Sequence, residues 1–145
     1  MSKIDSFSGK YDFLSNFYPS EIHFDGKIWP TVEHAYQAFK TIDDSESEQI
    51  RNSTTPGIAK RLGQKVSLRD DWDEIKDNIM FNLVEVKFKI PELRKKLLET
   101  DDAELIEGNY WNDTYWGVCR GKGKNKLGKI LMDVRSSIIH DHNFE

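Results

Sequence analysis

Disulfides, long apolar runs and metal motifs are all missing from this chain. One cysteine, Cys119, stands alone among 145 residues, so no intramolecular disulfide can form. A lone thiol fits a reducing compartment. No apolar run approaches the roughly 20 residues that cross a bilayer. The N-terminal Met1-Ser2-Lys3-Ile4-Asp5 carries no apolar signal region. These features predict a soluble, cytoplasmic protein with no membrane partner. None of the four histidines, His23, His34, His140 and His142, sits in a HExxH or Cys-pair setting, so no metal is expected. His140 and His142 read as surface residues near the C-terminus. A GxSxG elbow, a Walker loop and a GxGxxG fingerprint are also missing, and no cofactor is implied.

Positive charge is in deficit. Twenty-one basic residues face 25 acidic ones, for a net charge of −4. A protein that coats nucleic acid draws its affinity from Lys and Arg on phosphates, so that class is disfavoured. Aromatics are plentiful: four Trp, five Tyr and eight Phe. Mean hydropathy is −0.68, but this aromatic content can build a core that a disordered chain could not. At roughly 100–200 residues per domain, the chain reads as a single domain over residues 1–145. It shows no internal repeat and no low-complexity segment.

Asp25-Gly26 lies between Glu21–Phe24 and Lys27–Trp29, which is the signature of a two-residue hairpin turn. Pro30-Thr31 signals a helix start, with Glu33 in the first turn, where the dipole favours negative charge. Val32, Ala35, Tyr36 and Phe39 give that helix an apolar stripe. Further helices are expected over 45–51, 56–65, 72–90, from Pro91 to Glu99, and over 126–140. In the longest, Ile75, Ile79, Leu83, Val86 and Ile90 form the expected core line, widened by Met80, Val84 and Phe88. The last uses Leu127, Ile130, Leu131, Val134 and Ile138, with Asn125 as N-cap. A short strand is expected over 104–107, and Tyr110–Gly123 reads as loop. The fold class is mainly α with a small β component (α+β), a helical bundle plus an N-terminal β-hairpin.

Three segments could carry chemistry. On the first helix, Glu33, Gln37 and Lys40 share one side, with Glu33 and Lys40 about 10 Å apart along the axis. They line one groove or form a solvated face. Tyr110 to Gly117 sets four aromatics around Asp113. Such rings stack on a planar base while the carboxylate binds a hydroxyl or moves a proton; alternatively they plug the core, with Asn112-Asp113 making a turn. Arg120 to Lys126 interleaves four basic residues with glycines before a helix N-terminus. That is either an anion cradle or a solvated basic loop. Cys119 has no histidine marked as its base, and a thiol nucleophile is poorly supported.

Long motifs then align with a known family. Gly9-Lys10-Tyr11-Asp12-Phe13-Leu14-Ser15-Asn16-Phe17-Tyr18-Pro19 is followed by Asp25-Gly26-Lys27-Ile28-Trp29-Pro30-Thr31-Val32-Glu33-His34-Ala35-Tyr36-Gln37-Ala38-Phe39-Lys40. Next come Ala59-Lys60-Arg61-Leu62-Gly63, then Asp71-Trp72 with Lys76 and Met80. Asn112-Asp113-Thr114-Tyr115-Trp116-Gly117 and Gly123-Lys124-Asn125-Lys126-Leu127-Gly128 follow, with Leu131-Met132 and Arg135. From about Phe7 to Arg135 the chain resembles the YbiA-like, or NADAR (NAD- and ADP-ribose-associated), family. Family loops often carry Asp-Gly after Trp-Gly, where this sequence has Val118-Cys119.

The resemblance implies a compact, mainly helical domain and an N-glycosidase. Its substrate would be a phosphorylated, nucleotide-like small molecule: a ribosylamino-pyrimidine of the riboflavin pathway, ADP-ribose or NAD. ADP-ribosylated guanine in nucleic acid is a further form. It also implies catalytic roles for Glu33, Lys40 and Asp113. Asn16, Phe17, Trp29, Tyr36 and Trp116 would bind substrate, and Lys124 and Asn125 its phosphate. A non-catalytic ADP-ribose- or NAD-binding module is the alternative. The chemistry expected of an enzyme is attack by Lys40 on ribose C1 through a Schiff base, with Glu33 or Asp113 moving protons; direct activation of water by a carboxylate is the other route.

Overall fold

The computed structural model describes residues 2–143, with side chains to Asp141. In chain order the elements are β1 (Lys3–Ile4), a 3-10 helix (Gly9–Leu14), β2 (Ile22–Phe24), β3 (Lys27–Trp29), α1 (Val32–Ala38), α2 (Asp44–Arg51), α3 (Pro56–Gly63), α4 (Trp72–Lys87), α5 (Pro91–Leu98), β4 (Glu104–Leu105), β5 (Gly108–Asn109), β6 (Val118–Cys119) and α6 (Lys126–Asn143). The expected class, mainly α with a small β component, is what forms. The chain divides into two compact units: Asn16–Lys87, and the described residues on either side of it.

The Asn16–Lys87 unit is organised around α1. β2 and β3 pair antiparallel in the register Ile22↔Trp29, and Asp25 and Gly26 turn the hairpin at φ +55° and +73°. Both left-handed turn positions are what the Asp-Gly pair predicts. Thr31 Oγ1 accepts from His34 N at 3.0 Å and caps α1. Asp43 and Thr55 cap α2 and α3 in the same way, and Pro56 supplies the first-turn φ of α3. α2, α3 and α4 all pack on α1, which is buried along its whole length. Of the two readings of the polar side of α1, a groove lining or a solvated face, the solvated face is therefore corrected. Glu33, His34 and Gln37 are buried together with Val32, Ala35 and Tyr36.

The long helix also differs from expectation. It stops at Lys87, because Pro91 drives Ile90 into an extended conformation (ψ 120°) and the turn before it unwinds. Its buried line is Trp72, Met80, Leu83, Val84 and Lys87, while Ile75, Ile79, Val86 and Ile90 are half-buried. Lys87 is 1% exposed, and its Nζ lies 5.7 Å from the centre of the Tyr18 ring.

In the second unit β1 pairs parallel with β4, and β5 pairs parallel with β6. The β6 strand, Val118–Cys119, lies inside the segment expected to be all loop. α6 packs on β4 and α5, and α5 on the 3-10 helix. Leu127, Leu131 and Val134 of α6 are buried as expected, and Phe13 meets Phe88 edge-on at 6.5 Å. Arg135 is buried and donates to Thr100 Oγ1 at 2.9 Å. Burial lowers its pKa, against the pull of Asp102 and Asp101. That makes it a structural cation.

Candidate active site

Within the Asn16–Lys87 unit, four predicted residues gather at α1. The Asn16 carbonyl accepts from Glu33 N at 3.1 Å, which ties the turn at Asn16 to the helix start. The Asn16 amide reaches Met80 Sδ at 3.4 Å. Glu33 is 8% exposed, and the Gln37 amide donates to its Oε2 at 2.6 Å. One turn on, Tyr36 packs its ring on Trp72 at 5.1 Å. Lys40 holds its Nζ 5.8 Å from the centre of the Tyr36 ring, and its backbone is pinned by Arg69 N on Lys40 O at 2.8 Å.

Lys40 is half-buried, and burial pushes its amine below the usual lysine range. Glu33 opposes that shift. Lys60 and Lys76 reinforce it as like charges. An amine lowered in this way spends more time neutral at moderate pH, and only the neutral form is a nucleophile. A buried carboxylate on α1 and a lowered amine in the turn that follows it are the parts needed for carbonyl–imine chemistry or for proton transfer.

Gln37, Lys60 and Lys76 were not singled out from the sequence for a role. Gln37 was on the same side as Glu33, but its polar character read as solvation. The signal that could have found it is Gly63. A Cβ there would overlap the Gln37 side chain, so α3 needs a glycine for α1 to approach. Gln37 Oε1 is buried with no protein partner.

His34 has a different task. Thr31 Oγ1–H donates to its Nδ1 at 2.8 Å, and its Nε2–H donates to Ser53 O at 3.1 Å. Burial lowers its pKa, against the Ser53 hydrogen bond. A neutral imidazole thus ties α1 to the segment after α2. Phe17 is 40% exposed beside Asn16. Trp29 is 2% exposed, donates its indole N–H to Phe24 O at 2.9 Å and packs on Phe39. It sits in the core of the hairpin. An open depression of about 490 Å3 near Ser20, Trp29, Pro30 and Arg51 includes neither Glu33 nor Lys40. Two of its polar groups are engaged elsewhere: Arg51 is paired with Glu48 at 2.8 Å, and the Trp29 N–H is bonded to Phe24 O.

The remaining predicted residues belong to the second unit. Asp113 Oδ1 accepts from Tyr115 N at 3.1 Å and Trp116 N at 2.9 Å, and the Asn109 side chain clasps the Asp113 backbone on both sides. Asp113 therefore builds the turn that presents Trp116, whose ring meets Tyr115 edge-on at 4.9 Å. Lys124 and Lys126 lie 5.4 and 4.7 Å from the centre of the Tyr115 ring. Asn125 donates to Leu105 O and accepts from Glu107 N, both at 2.9 Å. Its φ is +52°, and its side chain braces the β4–β5 link in place of capping α6 as expected. The N–H groups of Lys126 and Leu127 donate to Tyr115 O and Trp116 O. The donors that an anion cradle would use at the start of α6 are thus bonded to the loop. Cys119 is buried beside Asn112. No metal-binding cluster occurs among the described residues, and the His142 side chain lies outside them.

Comparison with known proteins agrees with this arrangement of motifs. The NADAR domain family matches residues 5–139. N-glycosidase YbiA of Escherichia coli (strain K12) is 42% identical over 137 residues, covering 92% of this chain and 85% of its own. Riboflavin biosynthesis protein PYRR, chloroplastic, of Zea mays is 34% identical over 160 residues, covering 95% of this chain and 26% of its own. The NMR structure of the E. coli protein YbiA superposes with a TM-score of 0.88 at 39% identity, covering all of this chain and 90% of that one. With a family match across nearly its whole length and relatives this similar, the chain belongs to the NADAR domain family.

Proposed function

We propose that this protein is an N-glycosidase that hydrolyses a C–N bond at ribose C1 of a phosphorylated, nucleotide-like substrate. The candidates are a ribosylamino-pyrimidine phosphate and ADP-ribosyl-guanine. The observation that carries this reading is Lys40, a half-buried amine below the usual lysine range in the turn that follows α1, the helix bearing the buried Glu33 carboxylate. The names of the E. coli and maize relatives support the reaction class and the riboflavin-type substrate.

The reaction follows from the substrate's chemistry. A ribosylamine opens to an imine at C1. Neutral Lys40 Nζ adds to C1, the amine leaves with a proton, and a Lys40–sugar imine remains. Water adds to that imine and releases the sugar aldehyde and the free lysine. Glu33, held by Gln37, takes and returns the protons. Asp113, Trp116 and Lys124 are kept as substrate-contacting residues on the strength of the resemblance. The family match spans both compact units, so we treat the chain as one functional domain. The single free thiol, Cys119, accords with a cytoplasmic setting.

Product release by mass spectrometry tests the reading. Wild type and Glu33→Gln are each incubated with the ribosylamino-pyrimidine phosphate, NAD, and a guanine-ADP-ribosylated oligonucleotide. Cleavage of the first or third by wild type, lost in the variant, is the expected result. Binding of ADP-ribose without cleavage of any substrate would replace the enzyme with a binding module.

A further inference from the structure

We infer that Gly63 positions the Glu33 carboxylate, acting through the Gln37 side chain between them. The catalytic part played by Glu33 is taken from the N-glycosidase reading. The steric link itself rests on the packing of α3 against α1 within the Asn16–Lys87 unit.

Gly63 is the last residue of α3, and its φ lies outside the left-handed region. The backbone therefore sets no demand for glycine, and alanine is the better helix former. Contact with α1 is what excludes a side chain. A Cβ on Gly63 would overlap Gln37 Oε1 and stand 2.8 Å from Gln37 Cδ and 3.0 Å from Gln37 Cβ. The bare Cα of Gly63 is thus the wall against which the Gln37 amide lies.

That wall decides which way the amide faces. Gln37 is 4% exposed; its Oε1 lies at Gly63, and its Nε2 donates to Glu33 Oε2 at 2.6 Å. Oε1 has no hydrogen-bond partner among the described residues. A buried acceptor left in that state lowers stability, so the orientation serves something other than the amide's own bonding. Turning the amide over would set its oxygen against a carboxylate oxygen, where neither can donate. A methyl group at position 63 displaces only the far end of one side chain, which packing tolerates. The displaced amide cannot advance on Glu33, because 2.6 Å is already at the short limit of such a bond. It swings aside, and Glu33 loses this donor. The expected signature is lost turnover with little lost stability.

Gly63→Ala, Gln37→Ala and the double variant test this, each on the full chain. The substrate is whichever of the ribosylamino-pyrimidine phosphate and the ADP-ribosylated oligonucleotide wild type cleaves. Gly63→Ala is expected to lower kcat about tenfold or more, with KM changed by less than about twofold and Tm by no more than a few degrees. The double variant is expected to turn over no more slowly than Gln37→Ala, because Oε1 and Cδ are then gone and the new methyl displaces nothing. Losses that multiply, a wild-type kcat in Gly63→Ala, or a Gly63→Ala chain that does not fold would each overturn the inference. Solvent exchange of the Gln37 side-chain N–H2, followed by NMR, reads the steric link without turnover. Protection in wild type that is lost in Gly63→Ala is expected, and protection retained there overturns the inference. Lost protection, without cleavage of any substrate by wild type, sinks the N-glycosidase reading alone. Cleavage at an unchanged kcat in Gly63→Ala sinks the positioning role alone.

Discussion

The Gln37 side-chain amide donates to the Glu33 carboxylate across one turn of α1 at 2.6 Å, with both residues under 10% exposed. A carboxylate this deep needs a donor, and Gln37 aims it as an acceptor. Replacing Gln37 with Met keeps the volume and removes the donor. It also removes the unpartnered Oε1, which offsets part of the loss, so stability is expected to change by less than about 2 kcal/mol. Turnover is expected to fall about 10- to 100-fold through misplacement of Glu33. Unchanged turnover in a folded Gln37→Met protein would show that Glu33 needs no such partner.

Lys40 carries a cost that its substitution reveals. Its folded pKa is below the value in the unfolded chain, so the folded state binds fewer protons. The contribution of this group to stability is thus greatest above the unfolded pKa and is lost as pH falls through the folded one. Neutral pH lies on the losing side. Lys40→Met is expected to abolish cleavage and to raise Tm at pH 7, by about 2–4 °C per kcal/mol relieved. A calorimetric scan alongside the activity assay checks both. A lower Tm would mean that the Lys40 stem, and not its charge, dominates the site.

His34 predicts an acid weakness. Its pKa is lowered by burial from the ordinary 6.5, so the unfolded chain takes up a proton first as pH falls. The stability it contributes is complete above pH 6.5 and declines below it, until the folded imidazole also protonates. Tm measured from pH 8 to pH 5 is expected to drop faster for wild type than for His34→Gln. Parallel curves would assign the acid sensitivity to other groups.

Asn125 is expected to behave as a brace. Its amide closes two backbone groups, Leu105 O and Glu107 N. Gly128 lies beneath it, where a Cβ would overlap that amide. Asn125→Ala leaves both backbone groups without this partner, at about 1–3 kcal/mol each. A loss of several degrees in Tm, with an unchanged ratio of ribose 5-phosphate to ribose binding, is the expected result. A stable variant with weakened phosphate binding would restore the role the family resemblance suggests.

Local signals in the sequence were read well where one or two residues decide the outcome. Asp25-Gly26 fixed the hairpin because both positions need positive φ. Thr31 and Pro56 marked helix starts through a hydroxyl cap and a preset φ. The burial of α1 was not legible. A seven-residue helix bearing Glu33, His34 and Gln37 looks half-solvated until each polar group is seen with its partner: Gln37 for Glu33, Thr31 and Ser53 for His34. Lys87 hides for the same reason, since its charge marks it as surface while the Tyr18 ring lies beside it in the fold. The two-residue strands β4, β5 and β6 have no period to detect, and their parallel pairing comes from distant backbone. Of the site, Glu33 and Lys40 were visible as spacing and motif. Lys60 and Lys76 enter only through their charge on Lys40 in the fold.

Borohydride trapping reads out attack by Lys40 on C1 of the sugar. Enzyme and ribosylamino-pyrimidine phosphate are mixed with borohydride, and the digested protein is mapped by mass spectrometry. A reduced pentose phosphate on Lys40, and none there with borohydride in the absence of substrate, is the expected result. Turnover proceeding normally while Lys40 stays unlabelled under repeated trapping would contradict it and assign the reaction to water activated by a carboxylate.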